Sequence, residues 1–259
     1  MNIVDLKKKD LVLVNGDQNI YVIEEIQDNI ATVKGFTHRI RKNVDISLLK
    51  KAGNDQILQE TKAQEALKHR VLQKKERRSK HQILYGRILH IDGDKEFLES
   101  CLSLYQEMNI PSDGLYLHEE DIKDKIEHLL LTVTPDIVVI TGHDVYNGKG
   151  IKDLKNYQNS KHFMDAVRMI RKHFDRESVV VIVGACASHF EALLASGANF
   201  SSSPKRINIH TYDPAIIAIK VATTSCNKNV DFNQILELIE NKRDAFGGIE
   251  TKGKMKIML

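Results

Sequence analysis

A thiol and an imidazole stand at matching places in this chain. Cys186 follows the apolar run Val179-Val180-Val181-Ile182-Val183, and His143 follows Ile137-Val138-Val139-Ile140. Small residues lead into both, Gly142 before the histidine and Gly184-Ala185 before the cysteine, so that backbone and substrate can approach closely. The thiolate is the reactive form of cysteine, and a nearby imidazole favours it by taking the proton or pairing as imidazolium. Nucleophilic attack by Cys186 with His143 as base is the chemistry this predicts. A cysteine alone reads as a small core residue and a histidine alone as structural; their joint placement favours catalysis. Gly142, Asp144, Gly184 and Ala185 are the neighbours expected around a developing oxyanion, together with amides of a helix expected just after Cys186.

These residues need a frame that brings strand ends together. From residue 86, apolar strands alternate with amphipathic helices: strands at 87–91, 114–117, 136–140 and 178–183, helices at 95–108, 119–131, 160–174 and 189–196. The two β-branched runs are apolar throughout, as strands buried on both faces must be. The pattern predicts an α/β fold, a parallel sheet flanked by helices, over residues 86–259. In such sheets ligands bind outside the carboxyl ends of the strands. Those ends carry Asp92-Gly93-Asp94, Thr141-Gly142-His143-Asp144 and Gly184-Ala185-Cys186, and a further strand at 207–210 leads towards Asp213.

Residues 1–50 read differently, as short strands at 11–14, 20–26, 30–34 and 39–40 separated by turn formers. They predict a small SH3-like β module, or a meander packed on the main domain, with a docking or regulatory role. Residues 51–85 lack Pro and are rich in helix formers, predicting a charged helical linker ending in Lys74, Lys75, Arg77, Arg78 and Lys80.

Composition narrows the function classes. Hydrophobic residues at 42% and charged residues at 28% are ordinary for a globular protein, and a net charge of +3 gives no general pull towards nucleic acid. Cys101, Cys186 and Cys226 are too few for a disulfide framework, and no Cys-x-x-Cys pair suggests zinc, so no metal or cofactor is expected. The charged start MNIVDLKKKD is unlike a signal peptide, and no apolar run would span a membrane, so a cytoplasmic location is expected. Oligomeric state is not legible.

The order of His and Cys, behind IVVITGH and VVVIVGAC, resembles the caspase–legumain–gingipain–separase clan of cysteine peptidases. The chain departs from that clan in having Asp144, not Gly, directly after the histidine. GRILHIDGD, PDIVVITGHD, YQNSKHFMDAVR, GACASHFEALLASGANFSSSPKRINIH and GGIETKGK resemble the YabG family of sporulation proteases across residues 86–254. That resemblance implies an endopeptidase acting on spore coat and cortex-associated proteins in the mother cell of a sporulating bacterium.

The clan resemblance also implies a specificity pocket near the end of the first strand. Asp92 is the leading candidate, with Asp213 and Asp94 after it, although Asp94 precedes a helix and reads first as its cap. A buried carboxylate pairs well with a guanidinium, so a cut after Arg or Lys is expected. Such an enzyme would carry its own target in the basic linker, predicting self-cleavage between about residues 68 and 81.

Three rival readings stand beside this one, two on the same strand-end residues and the third, a nucleic-acid binder, on the N-terminal module and basic linker. A glutamine-amidotransferase-like hydrolase would place its base after the cysteine, but His210 is followed by Thr211-Tyr212 and not by Glu. A non-enzymatic receiver-like module would use Asp92, Asp94 and Lys205 but needs an Asp ending the third strand, where Gly142-His143 intervene. A single-strand nucleic-acid binder lacks its aromatic platform. His189 competes with His143 as base but falls in a first helical turn; His162 and His173 read as structural, and Ser201-Ser202-Ser203 as a groove or a self-satisfied loop.

Overall fold

The computed structural model describes residues 6–74 and 83–257. The first unit is a five-stranded antiparallel sheet of β1 (Leu11–Val14), β2 (Ile20–Gln27), β3 (Ile30–Gly35), β4 (Arg41–Asp45) and β5 (Leu49–Lys51), ordered β4-β3-β2-β1-β5. Alternating residues Val12, Val14, Tyr21, Ile23, Ala31 and Val33 build its own apolar core.

A long helix, α1 (Asn54–Gln73), follows. It is not the solvated linker expected of its charge: Leu67 and Val71 are buried in the main apolar cluster with Met108 and Ile216. One stripe of an otherwise polar helix is enough to dock it. Most of the basic stretch carrying the expected cutting site, residues 75–82, lies outside the described residues.

After β6 (Ile83–Leu84) the main unit runs β7 (Ile88–Asp92), α2 (Lys95–Glu107), β8 (Ser112–Tyr116), α3 (Ile122–Val133), β9 (Ile137–Thr141), α4 (Ser160–His173), β10 (Val180–Val183), α5 (Phe190–Ala195) and β11 (Phe200–Ser202). It closes with α6 (Asp213–Thr223), α7 (Phe232–Leu236), α8 (Lys242–Ala245), β12 (Phe246–Gly248) and β13 (Lys256–Ile257). The sheet order is β12-β11-β10-β9-β7-β8, parallel except for β12 at one edge; β13 pairs with β6 in a separate ribbon.

All of β9 and β10 is buried. Their alternate residues feed two cores. Ile137, Val139, Val180 and Ile182 join the cluster of α1, α2 and α6, while Val138, Ile140, Val181 and Val183 join that of α3, α4 and α5. Phe163, Val167 and Ile170 form the apolar stripe that lays α4 on its face. Helix α6, apolar on nearly every side, is buried almost throughout. Strand order reverses between β7 and β9, which opens a crevice at the carboxyl ends of those two strands.

Two local readings need correction, and both bear on that crevice. The strand expected at 39–40 begins instead at Arg41, because the preceding turn leaves the β module. The strand expected at 207–210 is not in the sheet; His210 forms an antiparallel bridge with His38 of that turn. A third concerns α5, which is six residues long and starts at Phe190, after a turn through Cys186 and Ala187. The imidazole of His189 caps it, accepting from Ala192 N at 3.4 Å.

Candidate active site

His143 sits just past β9 in a loop held on both sides. Glu119 Oε1 accepts the His143 amide at 2.7 Å, and Asn159 Nδ2 donates to the His143 carbonyl at 2.8 Å. A Cβ in place of Gly142 would push the Glu119 carboxyl from its position. The imidazole Nε2 lies 3.2 Å from Asp94 Oδ2, while Nδ1 is buried without a hydrogen-bond partner. Burial pushes the Asp94 carboxyl up, but His143, Lys34 and the Phe97 amide outweigh it and hold Asp94 well below the usual carboxylate range. An ionised carboxylate only accepts, so this hydrogen bond puts a proton on Nε2, and in the neutral ring the lone pair is then on Nδ1. One edge of the ring opens on a cleft of about 640 Å³ between the β module and the sheet, lined by Thr32, Lys42, Tyr116, Glu119 and Asn159.

Cys186 occupies the equivalent position on the neighbouring strand. β9 and β10 pair in parallel with Ile140 opposite Val183, and His143 and Cys186 each lie three residues beyond that pair. The loop is tightly built. Ser188 Oγ accepts from Ala185 N at 2.9 Å, Ser202 Oγ donates to Ala185 O at 2.7 Å, and Ser203 Oγ accepts from Ala187 N at 3.1 Å. Ala187 has a left-handed φ of 55°, and Gly184 leaves no room for a Cβ against Ser202. The serines of 201–203 are therefore buried, with Ser202 and Ser203 acting as braces.

Asp144 joins the two loops. It accepts from the amides of Val145 at 2.9 Å and Asn159 at 2.7 Å and from the Ser160 hydroxyl, and Ser160 Oγ in turn accepts from His189 N at 2.8 Å. Burial raises the Asp144 carboxyl against these donors.

The Cys186 sulfur is buried and accepts from the Ile209 amide at 3.3 Å. It shares no hydrogen bond with His143. Burial pushes its thiol up to about 12, against the opposing pull of the Ile209 backbone and the Arg39 charge. In this arrangement it is protonated at neutral pH.

The candidate specificity carboxylates have three different surroundings. Asp92 is fully buried and accepts from Arg39 Nη1 at 2.6 Å, Thr141 Oγ1 at 2.8 Å and Asp94 N at 3.0 Å. Burial would raise it, but Arg39 and His90 hold it at about 2. Asp94 caps α2 through the amides of Glu96 and Phe97 and pairs with Lys34 at 3.2 Å. Asp213 opens α6 and accepts the His210 amide at 2.9 Å; its Oδ1 has no partner, and burial lifts it to about 7.

Lys34, Arg39, Glu119, Asn159 and Ser160 were not legible as site residues. The last three follow no strand directly, and the two cations sit in a separate unit. The other histidines have structural places: His189 stacks near Tyr157 at 4.8 Å, His173 pairs with Glu127 at 3.0 Å, and His210 is held by burial at about 3. Among the described residues no cluster of His, Cys, Asp or Glu is placed to hold a metal ion, and no helix is long and apolar enough to cross a membrane.

No solved structure matches the chain. The sporulation-specific protease YabG of Bacillus subtilis (strain 168) is 42% identical over 177 residues, an alignment covering 66% of this chain and 60% of that protein. Residues 2–259 match the YabG peptidase U57 family, and the chain belongs to it.

Proposed function

We propose that the chain is a cysteine endopeptidase of sporulation, with Cys186 as nucleophile and His143 as base. The observation that supports this best is the parallel register that sets both residues at equivalent positions past neighbouring strands. The unpartnered Nδ1 of His143 is the atom suited to take the thiol proton, while Asp94 holds Nε2–H and keeps the ring in that tautomer. The thiolate then attacks the scissile carbonyl, and the imidazolium gives its proton to the departing amine. A water, deprotonated by the same nitrogen, hydrolyses the thioester and regenerates the thiol. With the amides of Gly184 and Ala185 already donating to Ile140 O at 3.0 Å and Ser188 Oγ at 2.9 Å, the oxyanion contact is assigned to the turn at Gly142, and Asp144 couples the loops that carry the two residues.

The reading extends to fold and setting. The α/β unit is taken as caspase-like and the N-terminal unit as an SH3-like module, linked by the helix that docks on the main core. Asp92 is the carboxylate for an Arg or Lys side chain before the cut, ahead of Asp213 and then Asp94. The substrates are spore coat and cortex-associated proteins, met in the mother cell, and the basic segment near residues 68–81 is a site of self-cleavage.

The test is to incubate the chain and its Cys186→Ala variant with extracted coat proteins and map the new termini. New termini following Arg or Lys, absent with the variant, are expected. Equal cleavage by both proteins overturns the assignment.

A further inference from the structure

The turn that leaves the β module runs beside residues 209–211 as a short antiparallel strand. Arg39 N donates to Ile209 O at 2.9 Å, Thr211 N donates to Thr37 O at 2.9 Å, and His38 bridges His210. Thr211 Oγ1 adds a second hydrogen bond to Thr37 O at 2.8 Å. This is how an extended peptide is read by a free strand edge, with main-chain bonds at alternate residues and a side-chain pocket between. The pocket is filled. The Arg39 guanidinium is fully buried, donating to Asp92 at 2.6 Å and to Thr211 O through Nε at 3.2 Å and Nη2 at 3.1 Å, with the Phe97 ring 5.3 Å away.

The position of this segment matters as much as its bonding. Ile209, which accepts the Arg39 amide, is the residue whose own amide rests on Cys186 Sγ. The pocket lies at the crevice where strand order reverses, the usual ligand site of an open α/β sheet. A buried ion pair is a weak device for stability, since apolar residues of similar volume often serve as well. A site built for a cation explains it better.

We infer that Thr37-His38-Arg39 lies in the substrate groove as a built-in occupant, with Arg39 in the pocket for the side chain before the cut. The word substrate rests on the peptidase reading; the occupancy of a guanidinium pocket by the chain's own arginine does not. An incoming basic peptide must displace Arg39 from Asp92 and residues 37–39 from residues 209–211. While the segment is in place it occupies the groove beside Ile209 and Cys186, so the full chain is self-blocked.

Benzamidine, a planar amidinium, probes the pocket without requiring catalysis. Its affinity is measured by calorimetry for full-length Cys186→Ala and for the same chain carrying Arg39→Gln. If the pocket is open less than a tenth of the time, freeing it tightens binding at least about ten-fold. Adding Asp92→Asn abolishes that binding. Equal affinity with and without Arg39, or no binding in either, overturns the inference. Arg39→Lys keeps a cation and serves where Arg39→Gln does not fold; its gain is smaller but in the same direction. In the Cys186-containing chain, an arginyl fluorogenic substrate should show KM falling about ten-fold with Arg39→Gln while kcat changes little. A purely structural arginine would instead lower kcat and the melting temperature together. If no form of the chain cleaves the substrate but benzamidine still distinguishes the variants, the peptidase reading fails and the occupancy stands.

Discussion

Arg39 and Asp92 meet at 2.6 Å with neither side chain exposed to solvent. The pair ties the β module to the crevice of the main sheet, and its acid response follows from its chemistry. The Asp92 carboxyl is held at about 2 in the fold, below its ordinary 3.8. Its contribution is therefore fully present above about pH 4 and is lost as pH falls through about 2. The shift corresponds to roughly 2 kcal/mol. Urea unfolding of wild type and of the Arg39→Leu/Asp92→Leu double variant should show their stability difference moving by about that amount between pH 5 and pH 2. A constant difference would contradict it.

Asp213 works in the opposite sense. Its folded value of about 7 is above the ordinary 3.8, so the fold keeps a proton that the unfolded chain releases. The stability this gives is complete below about pH 4 and disappears as pH rises through 7, a change of roughly 4 kcal/mol. Asp213→Asn should match wild type near pH 4 and exceed it at pH 8 in thermal melts. A wild type that gains on the variant as pH rises would refute the assignment.

Beyond its pair with Lys34, Asp94 has two separable duties, capping α2 and holding His143. Asp94→Ser keeps a hydroxyl cap, so it should retain stability to within about 1 kcal/mol. It cannot hold Nε2–H as a carboxylate does, so kcat should fall about 10- to 100-fold with KM little changed. Asp94→Ala should lose both. Full activity in Asp94→Ser would remove the carboxylate from the site.

The thiols give a chemical readout. Cys226 is the most accessible of the three, while Cys101 and Cys186 are buried and both pushed up to about 12. Iodoacetamide at pH 7.5 should label Cys226 first and leave Cys186 protected. Cys186 labelling should accelerate in Arg39→Gln, followed by peptide mass mapping. Rapid labelling of Cys186 in the wild type would show an open nucleophile.

Periodicity reads best where both faces of an element are buried. Strands β9 and β10 were legible from their β-branched runs, and with them the matched positions of His143 and Cys186. Strand β11 was not, because Phe200-Ser201-Ser202 looks like a polar loop until Ser202 is seen bracing the Ala185 turn. The edge strand β12, with two glycines in its three residues, carries no strand pattern at all. Helix α1 was legible as a helix but not as part of the core, since only Leu67 and Val71 mark its buried stripe. Lys34 and Arg39 were missed for a different reason. Their partners, Asp94 and Asp92, lie 60 and 53 residues away, and no local spacing encodes such a pairing.

The docking of α1 has a consequence for what a severed chain would look like. Leu67 and Val71 anchor the helix in the main core, Lys68 pairs with Glu107 at 2.6 Å, and Arg39 and Thr37 hold the module at the crevice. Each of these contacts joins a residue before 75 to one after 82. A break within 75–82 would therefore yield two polypeptides that stay together, one peak in size exclusion and two bands in a denaturing gel. Nicking and unblocking would be separate events, and the nicked complex would remain dormant until a stronger ligand pulled Arg39 from its place.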